Sequence, residues 1–148
     1  MSDITTVILA AGNSTRFKAS KSKLVYPLCG LPIVSHIFNI AKKISGKNIL
    51  VVSNEKNKEE LKLILNTSKL VVQKKQKGTA DAIEQVKKFV KSKNILILFG
   101  DTPLVEVKDI RKLVSKFKKS KAKASLIAFN TLEPVSYTHL RAHETDLN

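Results

Sequence analysis

Residues 4–16 read I-T-T-V-I-L-A-A-G-N-S-T-R. The first part, 4–10, is an unbroken run of aliphatic and β-branched side chains, the pattern of a strand covered on both faces in a parallel sheet. The run stops on two alanines and Gly12 and opens into a polar loop, 11–22. Outward from that junction, strand-length apolar runs alternate with segments of helical period. After Pro32, which suits a first helical turn, Ile33, Ile37, Ile40, Ala41 and Ile44 share one face. Residues 48–53 (N-I-L-V-V-S) read as a second strand, 55–65 as a helix and 70–73 as a short third strand. Gly78-Thr79 opens another helix, with Ala82, Ile83, Val86, Phe89 and Val90 on one side. Residues 94–99 (N-I-L-I-L-F) read as a fourth buried strand, Val107, Ile110, Leu113, Val114 and Phe117 as a helical stripe, and 124–129 as a fifth strand. The alternation predicts an α/β fold, a doubly wound, mostly parallel sheet with helices on both faces. Such sheets bind ligands beyond the carboxyl ends of their strands, where strand order reverses, so the loops after the first and fourth strands carry the expected site.

With 148 residues, 43% apolar and 26% charged, the chain is long enough for one domain with a real core and is neither fibrous nor disordered by composition. Its 27 lysines and arginines against 12 aspartates and glutamates give a formal charge of +15, which puts nucleic acid and anionic membranes under consideration. Only Arg16, Arg111 and Arg141 are arginines, and bidentate reading of guanine or phosphate is an arginine property. The lysine excess therefore reads as solvated surface, and neither nucleic acid nor membrane is an expected partner. Aromatic residues are few (6 Phe, 2 Tyr), which argues against a base-stacking platform. The lone cysteine, Cys29, excludes a disulfide framework and a cysteine-built zinc site. No apolar run approaches the ~18 residues of a membrane span, and Met1-Ser2-Asp3 does not open a secretory signal. A cytoplasmic location is expected.

In the first loop, Gly12 lets backbone N–H groups approach an anion closely, Ala10 and Ala11 leave room for a flat base or ribose, and Arg16 brings a fixed positive charge. The stretch is not a Walker loop and lacks the three glycines of a dinucleotide fingerprint. A connection that needs positive φ accounts for Gly12 equally well. Lys23 is the next candidate for phosphate, in competition with Lys18 and Lys21. Asp101 follows the fourth strand and Gly100, a place from which a carboxylate can hold magnesium against triphosphate oxygens or cap the helix near Val107. Gln73, in Q-K-K-Q-K-G-T-A (73–80), offers both a donor and an acceptor, as reading a pyrimidine edge requires. Gly78-Thr79 presents backbone groups at a helix start, and a plain helix cap is the other reading.

Four motifs in order, L-A-A-G-x-x-T-R (9–16), K-L-V-x-P-L-x-G-x-P (23–32), Q-x-x-Q-x-G-T-A (73–80) and G-D-T-P-L (100–104), resemble those of the sugar-phosphate nucleotidyltransferases, within the MobA-like NTP transferase superfamily. The resemblance runs over about residues 7–134. It is strongest toward the N-terminal uridyltransferase domain of bacterial bifunctional N-acetylglucosamine-1-phosphate uridyltransferase/glucosamine-1-phosphate acetyltransferases. Related cytidylyl- and molybdopterin-transferring enzymes share the first and last motifs but generally lack the third. The resemblance implies a Rossmann-like nucleotidyltransferase fold, with Leu9, Ala10, Ala11 and Gly12 along the uridine nucleotide. It further implies that Arg16 and Lys23 are catalytic through neutralising the phosphates, that Gln73, Gly78 and Thr79 read uracil, and that Asp101 binds Mg2+. The implied reaction is in-line attack by N-acetylglucosamine 1-phosphate on the α-phosphorus of UTP. It releases pyrophosphate and gives UDP-N-acetylglucosamine, a cell-wall precursor. Positioning and charge neutralisation would carry such catalysis, with no covalent enzyme intermediate. The alternatives are an NTP transferase with another base or acceptor and, outside enzymes, a basic nucleic-acid-binding domain.

Ser14 stands where the family usually has a second glycine, and Ser22 where a proline precedes the lysine. The family's Gly-Tyr-Gly-Arg segment, expected after Pro134-Val135, gives way to Ser136-Tyr137. Residues 135–148 (V-S-Y-T-H-L-R-A-H-E-T-D-L-N) contain no lysine, hold Arg141 and two of the three histidines, and resemble translated sequencing-adaptor read-through. The expected organisation is therefore 1–134, the N-terminal part of an NTP-binding domain incomplete at its C-terminus, and a non-native tail, 135–148. His139, His143 and Glu144 are accordingly not read as a metal site. Such a chain is expected to bind UTP weakly and not to turn over.

Overall fold

The computed structural model describes residues 3–13, 17, 21–66 and 69–128. The chain forms β1 (Ile4–Leu9), a 3-10 turn (Lys23–Val25), a short hairpin of β2 (Pro27–Leu28) and β3 (Leu31–Pro32), then α1 (Ile33–Ser45), β4 (Ile49–Ser53), α2 (Lys58–Leu65) and β5 (Leu70–Val72). It continues through α3 (Thr79–Val86), a 3-10 turn (Lys87–Phe89), β6 (Asn94–Phe99) and α4 (Val107–Lys119). The main sheet has the order β5-β4-β1-β6, and every pairing in it is parallel. From β1 the chain steps outward to β4 and β5, then returns to lay β6 on the other side of β1. Strand order thus reverses between β1 and β6, and the loops leaving those two strands meet at that point. This is the doubly wound α/β sheet expected.

Alternation along β1 sends its side chains to two separate cores. Ile4 and Ile8, with Ala10 beyond the strand, join α1, α2 and α4 on one face. Val7 and Ala11 join Ala82 and Val86 of α3 on the other. Both faces of β1 are covered, and Val7 and Ile8 are fully buried. Thr6 shares the larger core's face, where its hydroxyl lies 2.8 Å from Ser45 Oγ of α1.

Four local expectations are corrected. Residues 124–128 form no strand, and Leu126 is 71% exposed. The apolar character of that segment favours extended backbone, but a strand needs a ladder partner, and among the described residues β6 pairs only with β1. Second, α2 starts at Lys58 rather than 55, because Asn54 and Asn57 close a turn before it. Third, Phe89 is 47% exposed with the Lys88 ammonium over its ring, since the tightening from α-helix to 3-10 turn at Lys87 rotates it off the α3 face. Fourth, β6 is buried on one face only: Leu96 and Leu98 pack into the larger core, whereas Ile95 and Phe99, which alternation sends to the other face, are exposed. The hairpin is not visible in the sequence pattern. Two prolines within its four strand residues hide it from a propensity reading, whereas Cys29 (φ 49) and Gly30 (φ 80) give it the two left-handed turn residues of a type I′ connection.

Candidate functional site

A cleft of about 290 Å³ opens over the carboxyl ends of β1, β5 and β6. Its floor is Leu9, Ala10, Ala11 and Gly12; one wall carries Gln73, Gln76, Gly78 and Thr79, and the other Lys23, Phe99 and Asp101. Every predicted site residue except Arg16 lines it. Arg16 lies outside the described residues, as do Ser14 and Lys18.

The floor is the continuation of β1 past its last ladder residue. Leu9 O accepts from Gly100 N–H (2.9 Å), and Ala10 N–H donates to Val52 O (2.8 Å), so both neighbouring strands fix the segment. Gly100 is tight against it, with a Cβ there falling 3.2 Å from Leu9 O. Gly12 does not carry positive φ, and a Cβ built on it meets nothing within 4 Å. Its small size leaves space above the floor and is not a requirement of the turn. Beyond the floor's rim, Asn54 Nδ2 donates to Ala11 O and Asn57 Nδ2 to Ala10 O.

On the glutamine wall, Gln73 is buried and its Nε2 donates to Gly78 O (3.1 Å) and to Asp81 Oδ2 (2.6 Å). Both partners are acceptors, which sets the amide's orientation and leaves Oε1 as the side chain's acceptor atom. The side chain thereby also braces the first turn of α3, whose N-cap is Gly78 at φ 102, ψ −178. The structure adds Gln76 to the wall. It stands exposed in the cleft, and its Oε1 accepts from Asn13 Nδ2 at 3.3 Å. The signal for it was present in the same motif, three residues after Gln73.

The opposite wall holds an ion pair. Lys23 Nζ lies 2.6 Å from Asp101 Oδ2, with the two side chains 39% and 40% exposed. The pair distinguishes Lys23 from Lys21, which does not line the cleft. Asp101 caps no helix, since α4 begins at Val107 with Glu106 as N-cap. Lys23 is set in place by the 3-10 turn that it opens. Ser22 Oγ accepts there from Leu24 N–H (3.4 Å) at φ −59, a value proline would also supply. Among the described residues no three His, Cys, Asp or Glu side chains converge on a metal position. One exposed carboxylate at a cleft mouth suits a hard cation that completes its shell with phosphate oxygens and water, which is how Mg2+ is ordinarily held beside a nucleotide. The donor set therefore fits Mg2+ delivered with a polyphosphate. No helix among the described residues is long and apolar enough to cross a membrane.

Comparison with known proteins bears on this geometry. The model of the MobA-like NTP transferase domain matches residues 6–145. The bifunctional protein GlmU of Buchnera aphidicola subsp. Schizaphis graminum is 43% identical over 120 residues, covering 80% of this chain and 26% of its own length. GlmU of Campylobacter fetus subsp. fetus is 37% identical over 142 residues, covering 93% of this chain and 31% of the relative. The chain thus spans about a quarter to a third of the length of these curated relatives. Among solved structures, CMP:2-keto-3-deoxy-manno-octonic acid synthetase complexed with CTP superposes with a TM-score of 0.64 at 19% identity, over 80% of this chain and 48% of that one. That likeness is one of fold.

Proposed function

The chain belongs to the MobA-like NTP transferase family, and from that membership we propose that its cleft binds UTP, for transfer of UMP to N-acetylglucosamine 1-phosphate. The observation that carries this reading is the convergence, in one cleft, of the β1 floor, the glutamine wall and the Lys23–Asp101 pair. The similarity to GlmU proteins supports the choice of acceptor.

The base would lie against Ala10 and Ala11, whose methyl side chains allow a flat ring close to the backbone. With both amide hydrogens of Gln73 committed, its Oε1 can only accept. Uracil offers N3–H to such an acceptor, whereas cytosine presents a lone pair at the same position and is disfavoured. Lys23 exchanges Asp101 for the phosphates and neutralises charge that builds up as the sugar phosphate oxygen bonds to the α-phosphorus and the bond to pyrophosphate breaks. Asp101, released from Lys23, would hold Mg2+ against the triphosphate. When bound, the ion supplies charge neutralisation and orientation of the phosphates. Arg16 is assigned to the phosphates by its place in the first motif, and Thr79 and Gly78 to the base edge by theirs.

Titration with UTP, CTP and GTP in the presence of Mg2+, with Asp101→Asn as control, tests the reading. UTP should bind most tightly and lose affinity in the variant. Equal binding of all nucleotides, unchanged by the substitution, would overturn it, and polyanion binding with a steep salt dependence would favour nucleic acid instead.

A further inference from the structure

Asn54 and Asn57 stand outside the cleft and are not explained by ligand contact. Both are buried, at 4% and 2% exposure, in the turn between β4 and α2. Their acceptor oxygens are used within the turn: Asn54 Oδ1 takes the N–H groups of Lys56 and Asn57 at 2.9 Å each, and Asn57 Oδ1 takes that of Asn54 at 3.0 Å. Their donors are used elsewhere. Asn57 Nδ2 reaches Ala10 O at 2.8 Å and Asn54 Nδ2 reaches Ala11 O at 3.0 Å. Asn57 is also the N-cap of α2, where an asparagine ordinarily turns its oxygen onto its own helix, and it makes no such bond. The side chain serves the β1 loop instead of its own helix.

In a planar trans peptide, the carbonyl of one residue and the N–H of the next point in opposite directions. Holding Ala10 O therefore aims the Ala11 N–H, and holding Ala11 O aims the Gly12 N–H. Among the described residues neither N–H has an acceptor, and both residues line the cleft. We propose that Asn54 and Asn57 are positioning residues: they clamp the carbonyl side of the β1 loop so that the N–H groups of Ala11 and Gly12 face the cleft and receive an acceptor oxygen of the nucleotide. The identity of that ligand rests on the UTP reading above.

Asn57→Asp and Asn54→Asp test this, because each keeps the acceptor oxygen and, at neutral pH, loses the donor. A carboxyl forced against a carbonyl in a buried site has a raised pKa and regains a donor when protonated. Two readouts are taken on the full chain: the backbone amide resonances of Ala11 and Gly12 without ligand, and UTP affinity in Mg2+ as a function of pH. At pH 7.5 each variant should move those two amides and weaken UTP binding roughly tenfold. Lowering the pH should bring both readouts back toward wild type in the variants alone. Circular dichroism separates lost fold from lost aim, and Asn54→Ser, which shortens the donor without adding charge, replaces a variant that unfolds. Folded variants with unmoved amides and unchanged affinity would overturn the proposal. A wild-type chain that fails to bind UTP would remove the UTP reading while the amide resonances still decide the positioning.

Discussion

Replacement of Lys23 by methionine separates what this side chain does for the fold from what it does for a ligand. Its ammonium lies 2.6 Å from Asp101, but the two side chains remain 39% and 40% exposed. An ion pair that open to water contributes at most about 0.5–1 kcal/mol, because solvent screens it and two flexible side chains must be ordered. Methionine keeps most of the aliphatic stem, so the melting temperature should fall by no more than about 2–4 °C for a chain of this size. The same ammonium against a phosphate makes a charge-assisted hydrogen bond of about 1.5–3 kcal/mol, which corresponds to a loss of roughly 10- to 150-fold in UTP affinity. The assay is a thermal melt and a calorimetric UTP titration on one preparation of each protein. A large drop in melting temperature with UTP affinity unchanged would refute the reasoning, since Lys23 would then be structural. A second sign follows from the pair's geometry: with its partner gone, Asp101 should take Mg2+ more readily in the absence of nucleotide.

Gln73→Glu should destabilise the chain by about 3 kcal/mol in urea unfolding, because a buried carboxylate would face both the Asp81 carboxylate and the Gly78 carbonyl. Adding Asp81→Asn supplies a new donor to that carboxylate and should recover most of the loss. Gly78→Ala should cost about 1–3 kcal/mol by the same measurement, since φ 102 with ψ −178 belongs to glycine. As a Cβ there meets nothing within 4 Å, larger side chains at position 78 should cost no more than alanine.

The order of the elements was legible because each main strand is marked by its own composition. β4 and β6 coincide with runs of aliphatic residues, and β1 ends where alanines replace larger side chains. The motif residues of the cleft were legible for a related reason: the loops that hold them follow directly from those strands. What could not be read depends on distant partners. The carbonyls held by Asn54 and Asn57 lie 43 and 47 residues away, and neither asparagine differs locally from an ordinary turn residue. The Lys23–Asp101 pair spans 78 residues, so composition alone could not choose Lys23 over its neighbours. The strand expected over 124–129 is absent from its described part, 124–128, for the opposite reason: local apolar character does not provide a partner edge.

The supports behind the cleft are amides. Asn54, Asn57 and Gln73 hold the floor and one wall through side-chain amides that carry no charge themselves, with the part-buried Asp81 carboxylate as one acceptor of Gln73, whereas the lysine–aspartate pair sits at the mouth. Added electrolyte weakens the pair at the mouth and leaves the carboxamide bonds nearly untouched. Ionic strength therefore works on this molecule as a selective dial: a salt series on ligand affinity counts the charges meeting at the entrance, with the frame beneath held constant.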